Sequence, residues 1–257
     1  MDGHTIAIAA TRLTLDGRPF FFQGLSFFNA IYNPAFNADR ELWLRKFLAS
    51  GVNALRIWCQ WNFEPPRTFV GVDPDHVMYA EDGAVRERWF GRLAEILSDM
   101  DRLGMVAEVT ALSHERANQF PVAAQERAVR ELTRLLRPHR NVILQIWNED
   151  SHEIKRLFES AKAEDGSRLI TNSPGFSSNL GDDAQNRLLD LLTPHTVRGQ
   201  DPRFWEVAPR QIQTLIELYQ KPVIDDEPAR DGTIKFGGIE GGTKAEWHIA
   251  QIEAVRG

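Results

Sequence analysis

Two groups of acids, far apart in the chain, each stand where a short apolar run ends. Asn141-Val142-Ile143-Leu144-Gln145-Ile146 has the length and apolar continuity of a buried strand, and Trp147-Asn148-Glu149-Asp150 follows at its exit. Lys221-Pro222-Val223-Ile224 repeats that plan, and Asp225-Asp226-Glu227 comes next. Catalytic groups of parallel α/β barrels gather at the C-terminal ends of strands, so Glu149 and Glu227 read as a pair. Two carboxyl groups facing each other suit cleavage of a glycosidic bond. One protonates the departing oxygen while the other meets the developing cation, and a separation of about 5 Å lets the second attack directly with retention of configuration. If the strand pleat persists, Asp226 faces away from Glu227, and only one of them points to the centre.

Other residues near predicted strand exits extend the set. Arg56 belongs to Asn53-Ala54-Leu55-Arg56-Ile57-Trp58 and can hold a nucleophile ionised, since a nearby cation lowers a carboxylate pKa by about 1–3 units. Asn148 adjoins Glu149 and suits a hydrogen bond to the sugar hydroxyl beside the reacting carbon. His114 and His195 follow the third and sixth predicted strands and can bind hydroxyls or tune proton transfer. Trp58, Trp61 and Phe63 offer flat faces for pyranose rings, without distinguishing glucose from mannose. Singly, each has a plain structural use. A Glu at a strand-to-helix junction complements a helix N-terminus, Arg56 fits an ion pair, and His195 fits a satisfied polar contact. Their joint placement carries the functional reading.

The elements that must hold these groups alternate between strand and helix. A hairpin of Ile6–Ile8 and Arg12–Leu15, with a turn at Asp16-Gly17, precedes a first main strand over Phe20–Leu25. A helix carrying Leu44, Phe47 and Leu48 is capped by Asn37 or Asp39 and stopped by Gly51. Strand two spans Asn53–Trp58, and a long segment from Cys59 to about Ala84 has the length of a functional loop. A helix through Phe90, Leu93, Leu97 and Met100 leads to strand three, Met105–Thr110. The next helix carries Leu132 and Leu136 and is broken at Pro138. Ser151 is placed to cap the helix after strand four. Strand five is Leu169–Asn172, strand six Leu188–Thr193, and Pro209 fits the first turn of the following helix. Thr243-Lys244-Ala245-Glu246 has capping-box spacing for a last helix through Ile249 and Ile252. Seven strand-helix units favour a (β/α)8 TIM-type barrel, lacking an eighth strand or holding an atypical one. Residues 1–257 read as one barrel domain, with 1–16 as an N-terminal β-hairpin.

Composition sets the outer bounds. A chain of 257 residues can bury a full core, and 42% hydrophobic with 26% charged residues is the balance of a globular domain. A net charge of -6 argues against nucleic-acid binding, which needs a basic surface. The absence of a long apolar run argues against a membrane span. Met1-Asp2-Gly3-His4 lacks the basic and apolar regions of a signal peptide, so a cytoplasmic or mature exported form is expected. Cys59, the single cysteine, reads as a packed thiol. No Gly-rich phosphate loop follows the first strand, and no cofactor or metal is expected.

At this point the chain resembles the retaining (β/α)8-barrel glycoside hydrolases of the cellulase and β-mannanase type, clan A and family 5-like. The likeness runs through Leu15-Asp16-Gly17-Arg18-Pro19-Phe20, Gly24, Gly51-Val52-Asn53-Ala54-Leu55-Arg56, Trp147-Asn148-Glu149, the His195 segment and Lys221-Pro222-Val223-Ile224 up to Glu227. It implies Glu149 as acid/base and Glu227 as nucleophile, with Arg56, His114, Asn148 and His195 around them, acting on an oligo- or polysaccharide. Two departures stand out. Val197 occupies the place of a tyrosine often found two residues after the strand-six histidine, and the aromatic-bearing eighth strand has no evident counterpart. Trp247 falls inside the last predicted helix, and Ile234–Ile239 is the segment available to fill the gap. An unclosed sheet would favour self-association through its edges. Two other readings follow: a carbohydrate-binding barrel that has lost turnover, and a metal-dependent hydrolase using His114, Glu115, His152 and His195. The second lacks a His-x-His after the first strand and close His/Asp ligand spacing.

Overall fold

The computed structural model describes residues 3–59, 77–113, 120–175, 179–197, 203–227 and 244–256. The chain opens with three antiparallel strands, β1 (Ile6–Ala9), β2 (Arg12–Leu15) and β3 (Arg18–Pro19), so the expected hairpin gains a third short strand. Asp16 and Gly17 make the second turn with φ of +52° and +76°, the left-handed pair a tight hairpin requires.

The main sheet is parallel, with β4 (Gly24–Ser26), β5 (Ala54–Trp58), β6 (Val106–Ser113), β7 (Val142–Asn148) and β8 (Leu169–Thr171) side by side in that order. The first strand starts later than expected, because Phe20 and Phe22 pack under the sheet instead of pairing within it. Beyond β8 the sheet continues through single contacts. Asp190 N donates to Ile170 O at 3.1 Å, and Leu192 bridges in parallel to Val223. Predicted strands six and seven are therefore short extended segments in this structure.

Side chains at every second position build the interior in layers, as inward-facing barrel residues do. Ala54, Val106, Ile143, Leu191 and Ile224 form an apolar floor, closed from below by Ile6 and Leu13 of the N-terminal strands. Two residues further along each run stand Arg56, Glu108, Gln145, Thr193 and Asp226, all buried. Arg56 of β5 reaches Glu227 beyond Ile224 at 3.0 Å, so the sheet curls round on itself. Among the described residues no eighth strand lies between Ile224 and β4, and Ile234–Ile239 falls outside them.

Helices cover the outer face: α1 (Pro34–Ala38), α2 (Arg40–Ala49), α3 (Glu87–Arg102), α4 (Val122–Leu136), α5 (Ile154–Glu164), α6 (Asp183–Leu188), α7 (Phe204–Tyr219) and α8 (Ala245–Arg256). The apolar residues of α1 to α5 pack on Leu55, Ile57, Ala107, Val109, Leu144 and Ile146, the outward positions of the strands, while α7 packs on Leu189, Leu192 and Val197. None of the described helices is long and apolar enough to cross a membrane.

Several local expectations change. The Asn33 side chain caps α1, Asn37 bonds back to the preceding carbonyls, and Asp39 precedes α2 without a side-chain cap bond. Ser151 does not cap α5. The Asp150 carboxylate accepts from the backbone of Ser151 and His152, and Glu153 occupies the N-cap position at φ +52°. Helix α6 was not expected, because a loop rich in small polar residues precedes it. Pro209 lies inside α7, which begins earlier, at Phe204. Thr243 of the expected capping box lies outside the described residues.

Candidate active site

The site stands above the polar layer, at the C-terminal ends of the strands. Glu149 follows β7 directly, and its φ of +59° is left-handed, a conformation costing about 1–3 kcal/mol outside glycine. Bonds to Asn172 and Ser173, just after β8, hold it there. Trp147 N donates to Asn172 Oδ1 at 2.9 Å, Ser173 N to Trp147 O at 3.1 Å, and Asp150 N to Ser173 O at 3.3 Å. The pleat thus ends at Asn148, and Glu149 turns toward the barrel axis.

His195 is fully buried and joins the two acids. Its backbone N donates to Asn179 O at 3.2 Å. Its Nδ1 lies 3.2 Å from Glu149 Oε1, and its Nε2 lies 3.7 Å from both Asp226 Oδ1 and Glu227 Oε1. An oxygen of Glu149, a ring nitrogen of His195 and an oxygen of Glu227 all fall within 4.8 Å of one another. Two carboxylates and an imidazole form a set that could bind a divalent metal, but Arg56 already places a fixed cation on Glu227.

Arg56 organises the floor of the site. Its Nη1 donates to Glu227 Oε1 at 3.0 Å, its Nη2 to Asn148 Oδ1 and Gln145 Oε1 at 2.7 Å each, and its Nη2 lies 3.1 Å from Asp226 Oδ2. Burial opposes the guanidinium charge, but Asp226, Glu227 and Glu108 outweigh it and raise the Arg56 pKa. Because Asn148 turns its oxygen to Arg56, its amide nitrogen remains as the donor for a ligand hydroxyl.

Asp226 does not face away from Glu227. The chain bends at these two residues, so the alternation of a strand fails and both acids converge on Arg56. Trp58 is also placed otherwise than an open sugar platform requires. It is 4% exposed, packs edge-on to Phe28 at 4.8 Å and joins the main core. His114, Trp61, Phe63 and Glu115 lie outside the described residues. His152 faces Gln125, with Nδ1 3.3 Å from its Oε1, and does not join Glu149 and Glu227. Val197 packs with Ala208 against Trp205 and Trp247, and the two tryptophan rings stack at 4.9 Å.

Two residues of the layer escaped the reading of the sequence. Gln145 contacts Arg56, Glu108 and Asp226, and Glu108 is wholly buried beside them. The available signal was an acid in the middle of an apolar strand, at the spacing of Val106 and Thr110, where a charge is rarely buried without purpose.

Comparison with known proteins gives one kind of likeness. No protein-family model matches the chain, and no curated protein does. Among solved structures it is similar to a glycoside hydrolase family 5 protein from Bacteroides vulgatus. The TM-score is 0.68 at 17% identity, over 89% of this chain and 54% of that one. It is also similar to an endo-1,4-beta-mannanase from Rhizomucor miehei, with a TM-score of 0.64 at 12% identity, over 85% of this chain and 80% of that one. A family 5 mannosidase mutant from Rhizomucor miehei, solved with mannosyl-fructose, has a TM-score of 0.56 at 16% identity, over 86% and 71% of the two chains. The chain spans about half the length of the Bacteroides vulgatus structures it matches. The likeness is one of fold, and the fold is that of the TIM-type barrel.

Proposed function

We propose that this barrel carries a retaining glycoside hydrolase site for β-linked, gluco- or manno-configured glycans. The observation that carries the reading is the approach of Glu149 and Glu227 to within 4.8 Å across His195, close to the separation of about 5 Å that direct attack uses. Glu227, hydrogen-bonded to Arg56, attacks the anomeric carbon. The glycosidic C–O bond breaks as Glu149 gives its proton to the departing oxygen, leaving a glycosyl ester on Glu227. Glu149 then takes a proton from water, the water oxygen attacks the same carbon, and the ester C–O bond breaks to restore Glu227. Asn148 serves the hydroxyl beside the reacting carbon, and His195, touching both acids, orients them. The mannanase and mannosidase among the structural neighbours support the manno arm of the substrate class.

The test is a panel of aryl glycosides and polysaccharides run on the wild type, Glu149→Ala and Glu227→Ala. Loss of the acid/base residue lowers kcat on substrates with poor leaving groups by about 10²–10⁴-fold. Loss of the nucleophile abolishes labelling by a 2-fluoro-glycosyl fluoride. Azide is expected to give a glycosyl azide of retained configuration with Glu149→Ala and of inverted configuration with Glu227→Ala. Wild-type-like rates in either variant would reassign the site. Tight oligosaccharide binding with no label on Glu227 in the wild type would favour a binding barrel without turnover, the reading suggested by Val197.

A further inference from the structure

Around Arg56, the one fixed cation of this layer among the described residues, stand more carboxylates than it can balance. Arg56, Glu108, Asp226 and Glu227 are all buried. The Arg56 guanidinium touches Asp226 at 3.1 Å and Glu227 at 3.0 Å. Glu108 has no such contact. Its Oε1 accepts from Gln145 Nε2 at 2.8 Å, and its Oε2 has no hydrogen-bond partner among the described residues. Gln145 Nε2 also donates to Asp226 Oδ2 at 2.7 Å, so Glu108 and Asp226 lie on two sides of one amide. Three ionised carboxylates around one guanidinium would leave buried charge uncompensated, which is costlier than keeping a proton. The acid without a cation contact is the one to keep it.

We propose that Glu108 is a positioning residue that stays protonated in the working site, so that Arg56 is committed to Asp226 and Glu227 and Gln145 holds its amide between the two lower acids. Its effect on rate rests on the glycosidase reading; the proton itself does not. Burial is the main cause that pushes Glu108 up to about 8, with Asp226 and Glu227 adding to it and Arg56 opposing. Among the described residues, the charged groups facing Glu108 are Arg56 from β5 and Asp226 and Glu227 from the bend after Ile224. His195 stands behind Asp226, while Gln145 of β7 and Ser173 after β8 contribute neutral groups. When Glu108 ionises, a third negative charge competes for Arg56, and the hold on Glu227 slackens.

The first experiment needs no turnover. Protein carrying ¹³C at the glutamate side-chain carboxyls is titrated by NMR, for the wild type and Glu108→Gln. One glutamate is expected to keep its proton beyond about pH 6.5, two units above the ordinary range, and its signal to be missing from the variant. If every glutamate has ionised by about pH 6, the proposal fails, whatever the protein hydrolyses. Asp226→Asn, which removes a neighbouring charge, should lower that titration by about one unit. No movement there would overturn the proposal even if Glu108→Gln did not fold. The second experiment follows kcat against pH on an aryl glycoside whose leaving group needs little protonation. Glu108→Gln, a mimic of the neutral acid, is expected to move the alkaline limb up by about one unit, whereas Glu108→Leu loses rate at every pH by about tenfold or more. An alkaline limb unmoved in Glu108→Gln would sink the positioning role.

Discussion

At the scale of single residues, the candidate site turns on how few charges must balance in the buried layer around Arg56. Arg56 is shared between Asn148, Asp226 and Glu227, so the neighbour of the proposed acid/base and the proposed nucleophile are set by one side chain. Glu108 supplies a stability prediction from the same layer. Burial and the charge of Asp226 raise it from its ordinary 4.5 to about 8. The unfolded chain gives up that proton near 4.5 and the native chain near 8, so across this window the native state binds more protons. Stability from this group is therefore fully present at low pH and is lost as pH rises. Urea unfolding of the wild type should show a midpoint falling between about pH 5 and pH 8, with a shallower fall in Glu108→Gln. Equal slopes would show that Glu108 titrates alike in both states.

At the scale of elements, the ends of strands and helices depend on side chains that reach backbone far away in sequence. Arg168, just before β8, is buried and donates to the carbonyls of Leu136 at 2.7 Å and of His139 and Val142 at 2.8 Å each. It thereby satisfies the end of α4 and the start of β7 together. Burial is the main cause that lowers its pKa to about 10, against the pull of Asp165. Arg168→Leu removes those three hydrogen bonds, leaving Leu136 O with only the bond from His139 N, and should cost about 3 kcal/mol in urea unfolding, with activity per folded molecule unchanged. A change in activity without a change in stability would mean that β7 transmits more than position. The helices were largely legible because their apolar residues recur at the helical period, as at Leu93, Leu97 and Met100 of α3. Helix α6 and the early start of α7 were not, because α6 is too short for a stripe although Asp182 caps it, and α7 starts at Phe204 without a side-chain cap.

At the scale of the whole molecule, the barrel is unevenly held. β6 and β7 pair along most of their length with every residue buried, whereas Leu192 and Val223 meet through one bridge. Amide hydrogen exchange should therefore be slowest at Val109 and Leu144, and faster at Leu192 and Ile224, which open below the global unfolding free energy. Equal protection of both regions would show that the curled end folds as one unit with the central strands. Since Glu227 follows the weakly paired segment and Glu149 the firmly paired one, a ligand spanning both acids should raise protection mainly at the former.

By itself the sequence determined the parallel strand-helix alternation, the central strands and the residues at their exits. Those follow from local rules, the period of apolar side chains and the punctuation of Gly, Pro and capping residues. It also contained Glu149 and Glu227 as strand-end acids, because position in an element is a local property. Only the tertiary structure decided that Asp226 turns inward with Glu227, that Trp58 joins the core, and that Glu108 and Gln145 lie under the site. Each of these depends on where the pleat breaks and how far the sheet curls, which bring residues of separate strands to one point and, the acid within the apolar run of β6 apart, leave no mark in either stretch.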